Sequence, residues 1–254
     1  MSNNKDLVDE KKNIYEYMDV KRFNDPFRML ILGASMSGKT HFFLNTIYKA
    51  ICSNFHKIIL FTSISNKPEY VKIIPENKLV FIDVFSYENE AIINLINGIK
   101  EFIENTQKIG ETQTGKVIYE YNYLFIFDDF YNDKIIKSPT FVSIFTNFRH
   151  LQVSTCFISQ KLDVMVSNVM KENSTFILIF KLAGDSASKA VTLISSVIGA
   201  VVDRKELKRI SEGIFMNRVL SNKWGYTIVD VEQTKLYLEL KHIPKKKILK
   251  KKKK

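Results

Sequence analysis

Cysteine, glycine, proline and arginine are all scarce in this chain, and each scarcity closes off a class of protein. The two cysteines, Cys52 and Cys156, cannot build the disulfide framework of a small secreted domain, and a metal centre would need more ligands than they offer. Both lie inside apolar segments and are expected to be buried free thiols of an intracellular protein. Nine glycines and five prolines in 254 residues leave no material for a flexible linker or a low-complexity array. There is also no internal repeat, so nothing argues for splitting the body. No apolar run approaches the roughly eighteen residues of a membrane span. The opening MSNNKDLVDEKKN is unlike a signal peptide, so the chain is expected to be neither secreted nor membrane-bound.

What is present is ordinary for a globular protein: 45% hydrophobic and 26% charged residues, with length enough to bury a core. The net charge of +11 is concentrated at one end. Residues 241–254 (KHIPKKKILKKKKK) hold nine lysines and no acid, which leaves only +2 for residues 1–240. The basicity is therefore a tail, suited to holding polyphosphate loosely, steering the protein to DNA or serving as a nuclear address. A solvated, disordered end is the plainer expectation. The division that follows is an N-terminal extension over 1–25, one domain over 26–240 and the lysine-rich tail over 241–254.

Periodicity predicts alternating strands and helices. Strands are expected at 28–32 (RMLIL), 57–62 (KIILFT), 78–84 (KLVFIDV), 123–129 (YLFIFDD), 154–159 (STCFIS), 175–182 (TFILIFKL) and near 225–231 (GYTIVDV). Helices are expected from about Lys39 to Cys52, from Glu88 to Gln107, around 138–149, before 175, and between 186 and 213. In the second of these, Ile92, Leu95, Ile96, Ile99, Phe102 and Ile103 keep helical spacing. The polar run 108–121 reads as a loop. Short, almost wholly apolar strands separated by helices predict an α/β fold, a mainly parallel sheet with helices on both faces.

Between the first strand and first helix lies GASMSGKT, Gly33 to Thr40, which fits G-x-x-x-x-G-K-[ST] in the strand–loop–helix setting that motif needs. Gly33 and Gly38 let backbone N–H groups point inward as an anion nest at a helix N-terminus. Lys39 brings a point charge to the β- and γ-phosphates of ATP, and the Thr40 hydroxyl is placed to ligate Mg²⁺. Ser35, Ser37 and His41 complete the expected nucleotide contacts. The pattern would arise by accident in roughly one chain in a hundred of this size. Two other stretches are rejected. Gly110 to Lys116 repeats G-x-x-x-x-G-K but continues with Val117 where Ser or Thr is required. Asn66 to Glu69 (NKPE) is similar to the guanine-reading NKxD, but it ends in Glu and precedes the acidic strand.

That acidic strand, YLFIFDD, ends on Asp128 and Asp129. A carboxylate at the C-terminal end of a buried strand is where open α/β sheets bind ligands. Asp128 is expected to hold Mg²⁺ and Asp129 to act as the base toward the attacking water. With a strand inserted between loop and acidic strand, the order matches ATP-hydrolysing motors of the RecA/FtsK type. Gln160, at the tip of the next strand, is then the sensor of the γ-phosphate. The six arginines include only one, Arg149, between the acidic strand and Gln160, and it is the candidate arginine finger. His150 beside it reads as structural. Few arginines also speak against a nucleotide kinase, whose lid chemistry needs them.

DPFRMLILGASMSGKT, YLFIFDDF, FRHLQVSTCFISQ and STFILIFK together resemble, in order and spacing, the genome-packaging ATPases of nucleocytoplasmic large DNA viruses and virophages, the poxvirus-type branch of the FtsK/HerA superfamily. The resemblance spans about residues 25 to 182. It implies an ATP- and Mg²⁺-dependent motor, a homo-oligomeric ring of five or six subunits, that packages double-stranded DNA into capsids. Capsid or vertex proteins would be partners, and the setting would be the host cytoplasm or the virion. It carries Lys39 and Thr40 over as nucleotide and metal contacts, Asp128 and Asp129 as the acidic pair, Gln160 as sensor and Arg149 as finger. Two departures stand out: Lys171-Glu172-Asn173 occupies the place of a frequent Arg-Asn pair, and the second acid is Asp where cellular relatives more often have Glu. Segments 108–121 and 131–140 are the candidates for DNA contact. A helicase or conjugation-type motor, and an ATP-gated assembly factor that does not hydrolyse, are the alternatives the same residues leave open.

Overall fold

The computed structural model describes residues 8, 14–24, 26–130, 132–160, 168–182, 185–198, 204–220 and 224–241. Eleven strands are present among them: β1 Ile14–Asp19, β2 Arg28–Leu32, β3 Lys57–Thr62, β4 Leu79–Asp83, β5 Lys108–Glu111, β6 Val117–Tyr119, β7 Tyr123–Asp128, β8 Val153–Ser159, β9 Phe176–Phe180, β10 Tyr226–Asp230 and β11 Lys235–Lys241. Nine of these form one sheet in the order β1-β11-β10-β9-β2-β8-β7-β3-β4. The run from β9 to β4 is parallel throughout. β10 lies antiparallel to both β9 and β11, and β1 is parallel to β11.

The parallel strands are apolar on both faces because both faces are covered. Leu30 and Leu32 of β2, Phe125 and Phe127 of β7, and Ile177 and Ile179 of β9 point into one core. Their neighbours Met29, Ile31, Leu124, Ile126 and Leu178 point into the other. The second core is closed by α1 over 39–51, whose middle, Phe43–Tyr48, is π-wound, and by α2 Lys67–Val71. The first is closed mainly by α3 Asn89–Thr106, α4 Asp133–Ile136, α5 Pro139–Thr146, α6 Asn168–Asn173, α7 Asp185–Ile198 and α8 Arg204–Ile214. Aromatic rings dominate here: Phe127 stacks on Phe61 at 4.6 Å and meets the Phe141 ring edge-on at 5.0 Å, contacts worth about 0.5–1.5 kcal/mol each beyond area burial.

The structure departs from the sequence reading in five places. The domain does not begin at 26: β1 joins the sheet, Arg22 donates to Asp230 Oδ2 at 3.1 Å, and Phe23 is buried against Phe27 and Phe176. A further strand, β11, follows the one expected near 225–231, and it includes Lys241; residues 242–254, the rest of the tail, lie outside the described residues. The polar run 108–121 is a β5–β6 hairpin turned at Thr112, whose N–H donates to Lys116 O at 2.7 Å, with Gly115 at φ 78°. The buried stripe of α3 is narrower than expected, because Leu95 and Phe102 face outward at 39% and 52% exposure while Ile92, Ile96 and Ile103 are buried. Cys156 is a buried free thiol, whereas Cys52 is only half-buried, its Sγ 3.7 Å from Lys49 O. Among the described residues no helix is long and apolar enough to cross a membrane.

Candidate active site

Strand register brings the site together. Leu32 of β2 lies abreast of Ser159 of β8, and Asp128 of β7 abreast of Ile158. The C-terminal ends of β2, β8, β7 and β3 therefore open on one crevice, the usual ligand position in an open α/β sheet. β8, which follows the acidic strand in sequence, separates the loop-bearing strand from the acidic one, while β3 and β4, the strands of this sheet inserted between them in sequence, lie beyond β7.

The loop from Gly33 to Thr40 is tied down at its start: Gly33 N–H donates to Ser159 O at 3.1 Å and Ala34 N–H to Lys181 O at 2.6 Å. Gly33 has no room for a side chain, since a Cβ there would lie 2.6 Å from Phe180 Cβ and 2.7 Å from Ser37 Oγ. Met36 at φ 59° and Gly38 at φ 88° are both left-handed, the alternation that turns successive N–H groups to one side. A Cβ on Gly38 would also meet the Trp224 ring at 2.6 Å. Gly38→Ala is expected to cost about 1–3 kcal/mol of stability, from strain in this region, read as a lowered urea midpoint with an unchanged m-value.

Lys39 is buried, and its Nζ donates to Ala34 O at 2.9 Å. Desolvation lowers its pKa, opposed by the charges of Asp129 and Asp128. Asp128 is also buried. Thr40 Oγ1 donates to its Oδ2 at 3.1 Å and the Tyr70 hydroxyl donates to the same oxygen at 2.7 Å. Burial pushes the Asp128 carboxyl up to about 6, an effect that neighbouring Asp129 reinforces and the two hydroxyls and Lys39 oppose. Thr62 Oγ1 donates to the Asp128 carbonyl at 2.8 Å and accepts from Asn66 Nδ2 at 3.2 Å. Asp129 takes a left-handed φ of 49°, which Asp tolerates better than most residues. That turn carries its carboxylate to Gln160, whose Nε2 donates to both oxygens at 2.9 and 3.0 Å.

A cleft of about 630 Å³ is lined by Ser35, Met36, Gly38, Lys39, Thr40, His41, Asn66, Glu69, Asp128, Asp129, Gln160 and Trp224. Every residue expected at the site lies here or in the loop beneath it, except Arg149. That side chain is exposed in the turn Phe148–Leu151 leading into β8, at the opposite end of the strand from Gln160. The β5–β6 hairpin sits at that far end too, with Tyr119 N–H bonded to Gln152 Oε1 at 2.7 Å. Lys171 and Asn173 lie on α6, where Asn173 Nδ2 donates back to Val169 O.

Sequence reasoning missed Tyr70, Thr62 and Trp224. The NKPE stretch does not fit a guanine reader, yet Asn66 and Glu69 line the cleft because β3 runs beside β7. The one available signal was Thr62, a hydroxyl closing an apolar strand next to the acidic one.

The donor set fits a magnesium nucleotide. Ser37 Oγ is buried without a hydrogen-bond partner, so its O–H is short of the acceptor that a phosphate oxygen would supply. Among the described residues no three His, Cys, Asp or Glu side chains cluster as a metal cage. One carboxylate and one hydroxyl suit Mg²⁺, which takes its remaining ligands from phosphate and water.

Comparison with known proteins agrees with this geometry. Residues 14–231 match the family described as Poxvirus A32 protein. The DNA packaging protein OPG160 of Variola virus is 31% identical over 135 residues, covering 53% of this chain and 46% of the relative. Its Monkeypox virus counterpart is also 31% identical, with 41% of the relative covered. The chain thus spans about half the length of the curated relatives it matches. Among solved structures, B204, the DNA-packaging ATPase from Sulfolobus Turreted Icosahedral Virus, superposes with a TM-score of 0.57 at 12% identity over 84% of this chain and 97% of B204. The genome packaging NTPase B204 from Sulfolobus turreted icosahedral virus 2 in complex with ATP-gammaS gives 0.55 at 13%, over 84% and 95%. The fold is that of a P-loop ATPase.

Proposed function

This chain belongs to the Poxvirus A32 protein family, and on that premise we propose that it hydrolyses Mg-ATP in a ring of five or six identical subunits and drives double-stranded DNA into viral capsids. The carrying observation is the 3.1 Å contact from Thr40 Oγ1 to Asp128 Oδ2, which joins the phosphate loop to the acidic strand across β8. Names of relatives and structural neighbours, DNA packaging protein and packaging ATPase, support the DNA half of the reading.

In this reading the loop N–H groups and Lys39 hold the β- and γ-phosphates, and Thr40 and Asp128 hold Mg²⁺. The metal supplies charge neutralisation at the phosphates. Asp129 accepts the proton of the attacking water, and the Gln160 amide, already bonded to that carboxylate, orients the same water. Release of Gln160 from a γ-phosphate is the event that moves neighbouring loops. Arg149 lies outside its own chain's cleft, so its role as a finger is exercised on a neighbouring subunit. Phosphate contacts would hold the DNA without reading sequence, as a translocase requires. Capsid or vertex proteins would receive the motor, in the viral factory or the virion.

The test is ATP hydrolysis with and without long double-stranded DNA, repeated with mixtures of wild-type and Arg149→Ala chains. DNA-stimulated turnover that falls faster than the wild-type fraction is expected. Turnover indifferent to DNA in the assembled protein would turn the reading toward an ATP-gated assembly factor, and duplex unwinding would turn it toward a helicase.

A further inference from the structure

Trp224 is the chain's sole tryptophan, and its position is not explained by phosphate or metal chemistry. The residue lies just before β10 and is 57% exposed. The six-membered part of its ring lies over Gly38: a Cβ built on that glycine would be 2.6 and 2.8 Å from Cε3 and Cζ3. β10 is itself held firmly at this end, because Tyr226 is packed against Phe42 of α1 at 4.4 Å and against Phe180 of β9 at 5.5 Å. The indole thus sits two residues ahead of the anchored start of β10, at the lip of the phosphate loop.

Among the described residues lining the cleft, Trp224 alone is a Phe, Tyr or Trp. A nucleotide whose phosphates occupy the loop must place its base beyond the loop, where it presents two apolar π-faces to be desolvated. An exposed indole at the rim offers a matching surface, and base–aromatic stacking is tolerant of base identity while favouring large ring systems. The absence of a side chain on Gly38 lets the indole approach, so that glycine serves two purposes: it adopts the left-handed turn and it makes space for the ring.

From this we infer that Trp224 is the stacking platform for the purine base of the nucleotide, a specificity residue separate from the phosphate and metal contacts. The inference rests on the P-loop reading given above, and the experiment is arranged to tell the two apart. Because the protein has one tryptophan, its emission reports this site alone. Full-length wild type is titrated with Mg-ATP, Mg-CTP and magnesium tripolyphosphate, followed by tryptophan emission and by calorimetry. Calorimetry is repeated on Trp224→Ala and Trp224→Phe.

The expected result is emission quenched by ATP, less by CTP, and scarcely by tripolyphosphate. Trp224→Ala should weaken ATP about 5- to 150-fold, the range for one stacked base, with tripolyphosphate binding unchanged and Trp224→Phe recovering most of the loss. If ATP and tripolyphosphate bind and Trp224→Ala weakens neither, the stacking role is overturned while the P-loop reading stands. If Trp224→Ala weakens both equally, the residue supports the loop and does not read the base, which also overturns it. Should wild type bind neither ligand, both readings fall together.

Discussion

Lys39→Ala is expected to lower ATP turnover at saturating Mg-ATP by on the order of 10²–10³-fold, the usual cost of removing one preorganised charge from a phosphoryl-transfer site. The expectation follows from where the ammonium is held. It is 6% exposed, anchored on Ala34 O, and close enough to Asp128 and Asp129 to feel both charges. Desolvation has already lowered its pKa, so part of its hydration is gone before any phosphate arrives. A charge in that state interacts strongly with developing negative charge and needs little reorganisation. Lys39→Arg should not restore the rate, because a planar guanidinium cannot occupy the same narrow position as a point charge. Steady-state kcat on both variants checks this. Turnover of Lys39→Ala within about fivefold of wild type would remove Lys39 from the mechanism, since a charge that mattered in the transition state is worth far more than that.

Much of this site was legible because its central part is contiguous. Residues 33–41 carry their meaning in spacing, and Asp128 announces itself as the first charge after five buried residues. Gln160 was legible by analogy of position, at the end of the next strand. What could not be seen is what strand register decides. Tyr70 reaches Asp128 across 58 residues of sequence, and Trp224 reaches Gly38 from the far side of the chain. Neither has a local pattern to give it away. Arg149 shows the reverse limit: its position in sequence, eleven residues before Gln160, says nothing of the extended strand that separates the two.

The same reasoning explains the fold. Strands buried on both faces, such as KIILFT, read as uninterrupted apolar runs, and that one was located to the residue. β1 lies at one edge of the sheet with β11 beside it, and both combine buried with partly or fully exposed residues, so IYEYMD and KLYLELK mix charge with apolar side chains. Their pairing depends on long-range contacts such as Tyr15 against Tyr237 at 5.5 Å. The β5–β6 hairpin is mostly exposed and is held by its own turn, so hydrophobic periodicity had nothing to register there.

Asp128→Asn is expected to make the nucleotide-free protein more stable at pH 8 while reducing ATP hydrolysis to background. The stability half comes from the sign of the Asp128 shift. Its folded pKa is raised from 3.8 to about 6, with burial the main cause. Between those values the folded state binds more protons than the unfolded state, so stability falls as pH rises through the window. Above pH 6 the full penalty of a buried carboxylate is present, about 3 kcal/mol for a shift of this size. An asparagine amide carries no such penalty, and its oxygen can still accept from Thr40 and Tyr70, which both bond one oxygen of the carboxylate. The gain at pH 8 should therefore approach 3 kcal/mol and narrow by about 1–2 kcal/mol at pH 5, where the wild-type carboxyl is largely protonated in the folded state. Urea denaturation at the two pH values measures it. The functional half has the opposite sign, because a neutral amide is a poor ligand for Mg²⁺. A wild-type chain that keeps a destabilising carboxylate stores strain where it needs charge, the usual exchange of stability for activity. If Asp128→Asn were instead less stable at pH 8, the carboxylate would be a net structural asset, held by Tyr70, Thr40 and Lys39 more strongly than burial opposes it.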